Sequence, residues 1–158
     1  MKRLIIYASK YGCTESCAKR LAAMLPGEID LIDLNSNDIT DLSGYDQVIL
    51  GGSIYAGQAP KRIREFSGRN LSMLLSKKVA LFLCCFETGD NAQSYIKRTF
   101  PDSLVRQSMA TEFFGWELHF NKMNRFERWI VKKIAKVDKD VSRIDEEAIQ
   151  RLAMKCAG

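Results

Sequence analysis

Apolar positions along the chain gather into strand-length runs separated by segments with helical spacing. The runs are Leu4 to Ala8, Ile29 to Leu34, Gln47 to Leu50, Val79 to Phe86 and about Met109 to Phe114. The first, third and fourth are nearly continuous in Leu, Ile, Val and Phe, the pattern of strands covered by helices on both faces. After the first run, Ala18, Leu21, Ala22 and Leu25 recur at helical spacing. Pro60 is placed to open a helix through Ile63, Phe66 and Leu71 to about Leu75, with Gly68-Arg69-Asn70 as the point where it can break. The polar stretch from Leu34 to Tyr45 has room for a loop or a short helix. This βαβ rhythm predicts an α/β open sandwich on a five-stranded parallel sheet. Two helical segments follow the fifth run, Lys122 to about Val137 and Asp145 to Cys156, and only the second is needed to complete the sandwich.

At 158 residues and 46% apolar content the chain can bury a core of its own. With no repeat and no linker rich in Pro, Gly or Ser, residues 1–158 are expected to form a single domain. The apolar run behind Met1-Lys2-Arg3 is too short for a signal peptide, and no window approaches the ~18–20 apolar residues of a membrane span, so a cytoplasmic location is expected. The cysteines, Cys13, Cys17, Cys84, Cys85 and Cys156, are odd in number and are read as reduced thiols rather than as a disulfide framework. Cys13 and Cys17 stand one helical turn apart, but a metal site needs more converging ligands and His119 is the sole histidine, so no metal is expected. Cys84 and Cys85 are expected to point to opposite faces of the fourth strand.

Candidate chemistry lies in three loops at the carboxyl edge of the sheet, where open parallel sheets bind ligands. The first, Ser9-Lys10-Tyr11-Gly12-Cys13-Thr14, is small, hydroxylated and glycine-bearing, and it leads into a helix whose unpaired amides and dipole favour an anion such as a phosphate monoester. A Ser/Thr-rich turn of this kind also serves as a plain helix cap. The second, Ser53-Ile54-Tyr55-Ala56-Gly57, sets an aromatic ring among small residues, as a flat heteroaromatic guest requires. The third is Phe86-Glu87-Thr88-Gly89. Rival α/β readings fail on particular residues. The first loop has one glycine where a dinucleotide fold needs three, Ser9 and Lys10 where a response regulator needs carboxylates, and Lys19 where a cysteine phosphatase needs Arg.

Together these residues resemble flavodoxins. The first 21 follow that family's phosphate-loop pattern: two apolar residues, an aromatic, Ser9, then Gly12, Thr14, Ala18 and Leu21. The resemblance implies a flavodoxin-like sheet of order 2-1-3-4-5. It also implies an FMN whose phosphate lies on Ser9 to Thr14, with its ring between the Ser53–Gly57 and Phe86–Gly89 loops. The flavin would carry the electron chemistry, so no protein residue is assigned a catalytic role.

The chain carries a net charge of +5, concentrated near its C-terminus. On a helical wheel, Lys122 to Val137 places Met123, Phe126, Ile130, Ile134 and Val137 on one side. Lys122, Arg125, Lys132, Lys133 and Lys136 lie on another, with Trp129 among them. This extra basic amphipathic helix reads either as a docked helix with a solvated back or as a helix resting on an anionic bilayer. No nucleic-acid motif accompanies it. Gly115 to Phe120 and Asn124 to Trp129 look like the tail of the flavodoxin-like protoporphyrinogen dehydrogenases, which pass electrons to menaquinone. The segment from Glu87 to Gln107 is shorter and less basic than theirs. Three classes of function therefore remain: an electron carrier serving a redox partner protein, a quinone-linked dehydrogenase peripheral to the inner membrane face, and a flavodoxin-like binding domain without turnover. The oligomeric state is not legible.

Overall fold

The computed structural model describes residues 1–158, the side chain of Ala135 excepted. Five parallel strands, β1 (Lys2–Ala8), β2 (Glu28–Asp33), β3 (Gln47–Ser53), β4 (Lys78–Cys84) and β5 (Ala110–Phe113), form a sheet of order β2-β1-β3-β4-β5. Each expected strand is present, and the order reverses between β1 and β3.

Period-two alternation sorts the strand residues between two cores. Leu4, Ile6, Leu50, Leu81 and Cys85 pack toward α2 (Lys61–Arg69), α3 (Leu71–Leu75), α4 (Gly89–Thr99) and α5 (Asp102–Gln107). Ile5, Ile49, Phe82 and Cys84 pack toward α1 (Cys13–Met24) and α7 (Glu146–Ala157). Cys84 and Cys85 thus divide between the faces as expected. Each fully buried Leu or Ile contributes roughly 1.5–3 kcal/mol, which makes this double core the dominant stabilising feature. The predicted break after Pro60 falls at Asn70, whose Nδ2 donates to the Phe66 carbonyl at 2.9 Å and closes α2 before α3 begins.

Past β5 the chain departs from the sequence expectation. Gly115 opens a further strand, β6 (Gly115–Leu118), which pairs antiparallel with β7 (Val141–Ile144). A Cβ at Gly115 would meet the Arg143 carbonyl oxygen at 2.0 Å, and its φ is 77°, so the crossing requires glycine. Both strands are four residues long and pair only with each other, which hides them from a search for long apolar runs. Between them, the expected helix from Lys122 to Val137 divides into a 3-10 turn (Phe120–Lys122) and α6 (Arg125–Ala135). Asn124 caps α6 by accepting from the Glu127 amide at 2.8 Å.

The wheel assignment for α6 is corrected. Phe126 and Ile134, expected on the docked side, are 67% and 70% exposed. The buried residue is Val131, which joins Leu118, Phe120 and Met123 in a small satellite core. The orientation is set by polar anchors: Tyr11 donates its hydroxyl to Glu127, and Arg128 Nε donates to the Phe120 carbonyl at 2.7 Å. These turn the 127/131 face inward. Among the described residues no helix is long and apolar enough to cross a membrane.

Candidate functional site

The three sequence-predicted loops meet at the carboxyl edge, beside the reversal between β1 and β3, as an open α/β sheet requires. In the first loop Gly12 adopts a φ of 92° at the start of α1, and its amide donates to Ser9 Oγ at 3.0 Å. No side chain caps the helix. Thr14 Oγ1 is fully buried and has no hydrogen-bond partner. A buried hydroxyl left unpaired costs about 1–3 kcal/mol, so its retention calls for a ligand acceptor. The position a Cβ would take on Gly12 lies 2.8 Å from Lys122 Nζ, which brings an ammonium group from the 3-10 turn against the same loop. An unfilled helix N-terminus, an orphan hydroxyl and a nearby cation together suit a small dianion. The plain capping reading of Thr14 fails, since its hydroxyl caps nothing.

The second loop turns tightly, with Tyr55 and Gln58 exchanging backbone hydrogen bonds at 2.9 and 3.1 Å. Ala56 is held at a φ of 49°, an uncommon conformation for a residue with a Cβ. The Ile54 amide donates to the Cys84 carbonyl at 2.8 Å, tying this loop to β4. Lys10 Nζ lies 4.0 Å from the Tyr55 ring centre, and Tyr11 meets Tyr55 edge to face at 5.6 Å. In the third loop Phe86 packs on Trp116 with ring centres 4.3 Å apart, and Glu87 accepts from the Tyr95 hydroxyl at 2.9 Å.

Two crevices adjoin here. One, of about 50 Å³, is lined by Ser9, Lys10, Tyr11, Cys13, Ser53 to Tyr55 and Phe86, and also by Trp116 to Leu118. The other, of about 100 Å³, runs from Ile54 to Gly57 past Phe86 and Glu87 to Ile130, Val131 and Ile134 of α6. Of the candidate residues, Thr88 and Gly89 line neither crevice; they form the start of α4. Gly12 and Thr14 belong to the anion cradle beside the first crevice. His119 also lies outside both, bonded instead to Glu117 at 3.0 Å.

Sequence reasoning missed Lys122, Leu118 and the α6 residues as site walls, and it put Trp116 near the site edge without assigning it a role. The alternation of Trp116 and Leu118 with Glu117 and His119 was the one available signal, since it marks a short strand. Lys122 carried none, because its approach to Gly12 spans the whole tail.

Beneath the first loop, the sulfur atoms of Cys13, Cys17 and Cys84 lie within 4.8 Å of one another. The neighbouring Cys17 and Cys84 thiols favour the Cys13 thiolate and hold it below the ordinary thiol range, while proximity to Cys13 and burial push Cys17 and Cys84 up. Burial, with the nearby Glu87 charge, raises Cys85 to about 11.

A doubly wound parallel sheet with an anion cradle at the reversal in its strand order defines a flavodoxin-like α/β fold. The family described as "Flavodoxin domain" matches residues 4–145, and the chain belongs to it. Among solved structures the chain is similar to flavodoxin 2 from Bacillus cereus, at 25% identity over 99% of this chain and 97% of that one, TM-score 0.59. It is similar to oxidised flavodoxin 1 of the same organism at 21% identity over 99% and 96%, TM-score 0.59. A flavoprotein from Lactobacillus acidophilus NCFM, solved in complex with FMN, shares 18% identity over 71% of this chain and 92% of that one, TM-score 0.51. No curated protein matches significantly.

Proposed function

We propose that this chain is an FMN-binding flavodoxin-like redox protein. The observation that carries the reading is the buried, partnerless Thr14 hydroxyl at the uncapped start of α1, with Lys122 Nζ beside Gly12. That cradle fits a phosphate monoester in charge and donor set. The flavodoxin family and the FMN-bound flavoprotein neighbour support the same ligand. Bound FMN supplies one- and two-electron transfer. The chain's own residues do the rest. Ser9 to Thr14 and Lys122 hold the phosphate, while Tyr55, Phe86 and Trp116 wall the crevice for the ring and keep water from it. The electron donor and acceptor are a redox partner protein or a quinone.

The test is direct. Protein purified under mild conditions, or incubated with FMN and desalted, is denatured and its released flavin is quantified. One FMN per chain is expected, and protein that retains no flavin after either treatment overturns the reading.

A second reading, a quinone-linked dehydrogenase of the protoporphyrinogen type docked on an anionic membrane, is favoured by the free face of α6. Phe126, Trp129 and Ile134 are all more than half exposed, and Lys133 Nζ lies 4.5 Å from the Trp129 ring centre. An apolar ridge edged by lysines is the surface that partitions into an anionic interface. It borders the second crevice, through Ile134, so a lipid-borne acceptor would meet the flavin site from that side.

A further inference from the structure

Cys13 and Cys17 lie one turn apart at the start of α1, and Cys84 ends β4 beside them. Their three sulfur atoms lie within 4.8 Å of one another, with residue exposures of 7%, 0% and 3%. All three thiols are free. The third ligand, which the sequence does not reveal, is supplied by the fold: Cys84 is remote in the chain and reaches α1 only because the sheet and helix pack together.

We infer that Cys13, Cys17 and Cys84 form an all-sulfur site for one soft monovalent metal ion of the Cu(I) class. Ligand type selects the ion. Thiolates favour soft metals, whereas magnesium and calcium need oxygen, and among the described residues no carboxylate or imidazole joins the three sulfurs. Ligand number selects further, because structural zinc takes four protein ligands and three-ligand zinc completes its shell with water, whereas this cluster offers three sulfurs at buried positions. Charge completes the argument. If two thiols release protons to bind one Cu(I), the buried complex carries a single negative charge. Cys13 is the first residue of α1, where the helix dipole favours that sign. Cys13 and Cys84 also line the first crevice, which places two of the three ligand residues at its wall. The ligand set is read from the sulfur geometry and not from the flavin reading, but that crevice is the one assigned to the ring, so uptake is measured on the flavin-free chain.

The experiment offers Cu(I), held by a colorimetric chelator under anaerobic reducing conditions, to the full chain. One equivalent is expected to leave the chelator, with a near-ultraviolet sulfur-to-copper charge-transfer band and X-ray absorption showing only sulfur neighbours. Cys17→Ser and Cys84→Ser, checked for folding by circular dichroism, are each expected to weaken uptake at least about tenfold. Cys156→Ser, at the opposite end of the sheet beside Arg3, is expected to leave uptake unchanged. No transfer to the reduced wild-type chain, nitrogen or oxygen neighbours in its absorption spectrum, or undiminished uptake by the folded Cys17 and Cys84 variants overturns the inference.

Discussion

Thr14 shows how a single residue can cost stability for the sake of binding. Its hydroxyl is buried without a partner, while the isosteric Val would bury only carbon. Thr14→Val is therefore expected to raise the stability of the flavin-free protein by about 1 kcal/mol while weakening FMN. Paired denaturation and FMN titrations check this, and a variant that binds FMN as tightly as the parent removes Thr14 from the site. Lys122 acts through charge. Lys122→Met is expected to weaken FMN by about 10- to 100-fold, the worth of a charge-assisted hydrogen bond, and to leave riboflavin, which lacks the phosphate, unaffected. Equal loss for both ligands would point to a disturbed fold instead. Cys85 and Cys156 carry a pH effect. Burial lifts both thiols from 9.0 to about 11, so each favours the folded state fully below pH 9 and loses that contribution as pH rises toward 11. Each accounts for about 2–3 kcal/mol. Denaturant midpoints measured from pH 8 to 11 are expected to fall, and Cys85→Ala with Cys156→Ala to flatten the decline. At this scale the sequence showed Ser9, Gly12 and Thr14 because they are contiguous. It could not show Lys122 or the meeting of Cys84 with Cys13, which depend on contacts between distant segments.

Among the elements, α6 separates what periodicity can and cannot tell. The helix and its basic, amphipathic character were legible, but its inward face was not. Amphipathicity gives the direction of the apolar moment, whereas docking here follows polar anchors, Tyr11 to Glu127 and Arg128 to Phe120. The outcome leaves Phe126, Trp129 and Ile134 facing out. Replacing all three by Ser is expected to leave thermal stability within a few tenths of a kcal/mol, as for exposed positions generally. The same change is expected to reduce binding to anionic vesicles at least about tenfold. Flotation with anionic and with neutral vesicles checks this. A parent protein that ignores both kinds would remove the membrane-docked reading. The β6–β7 pair lay beyond reach for another reason: four-residue strands that pair only with each other carry too little periodicity to register.

On the scale of the whole molecule, β1, β3 and β4 were readable because burial on both faces imposes near-continuous apolar runs, whereas the edge strands β2 and β5 are only partly buried and showed through their position in the βαβ rhythm. The family match across residues 4–145 agrees with that architecture. The tail was the less legible part, and it is where this chain builds beyond the sheet. Its β6 strand, 3-10 turn and α6 pack on Tyr11 and Tyr55, so they wall the crevice and bring Lys122 to the cradle. The central claim is that this assembled edge recognises a phosphorylated flavin. Calorimetric titration of the flavin-free protein with FMN, and separately with riboflavin, tests it most directly. The account expects one site per chain and a preference for FMN of at least about tenfold, carried by the phosphate; no heat with FMN, or equal affinity for the two flavins, would contradict it.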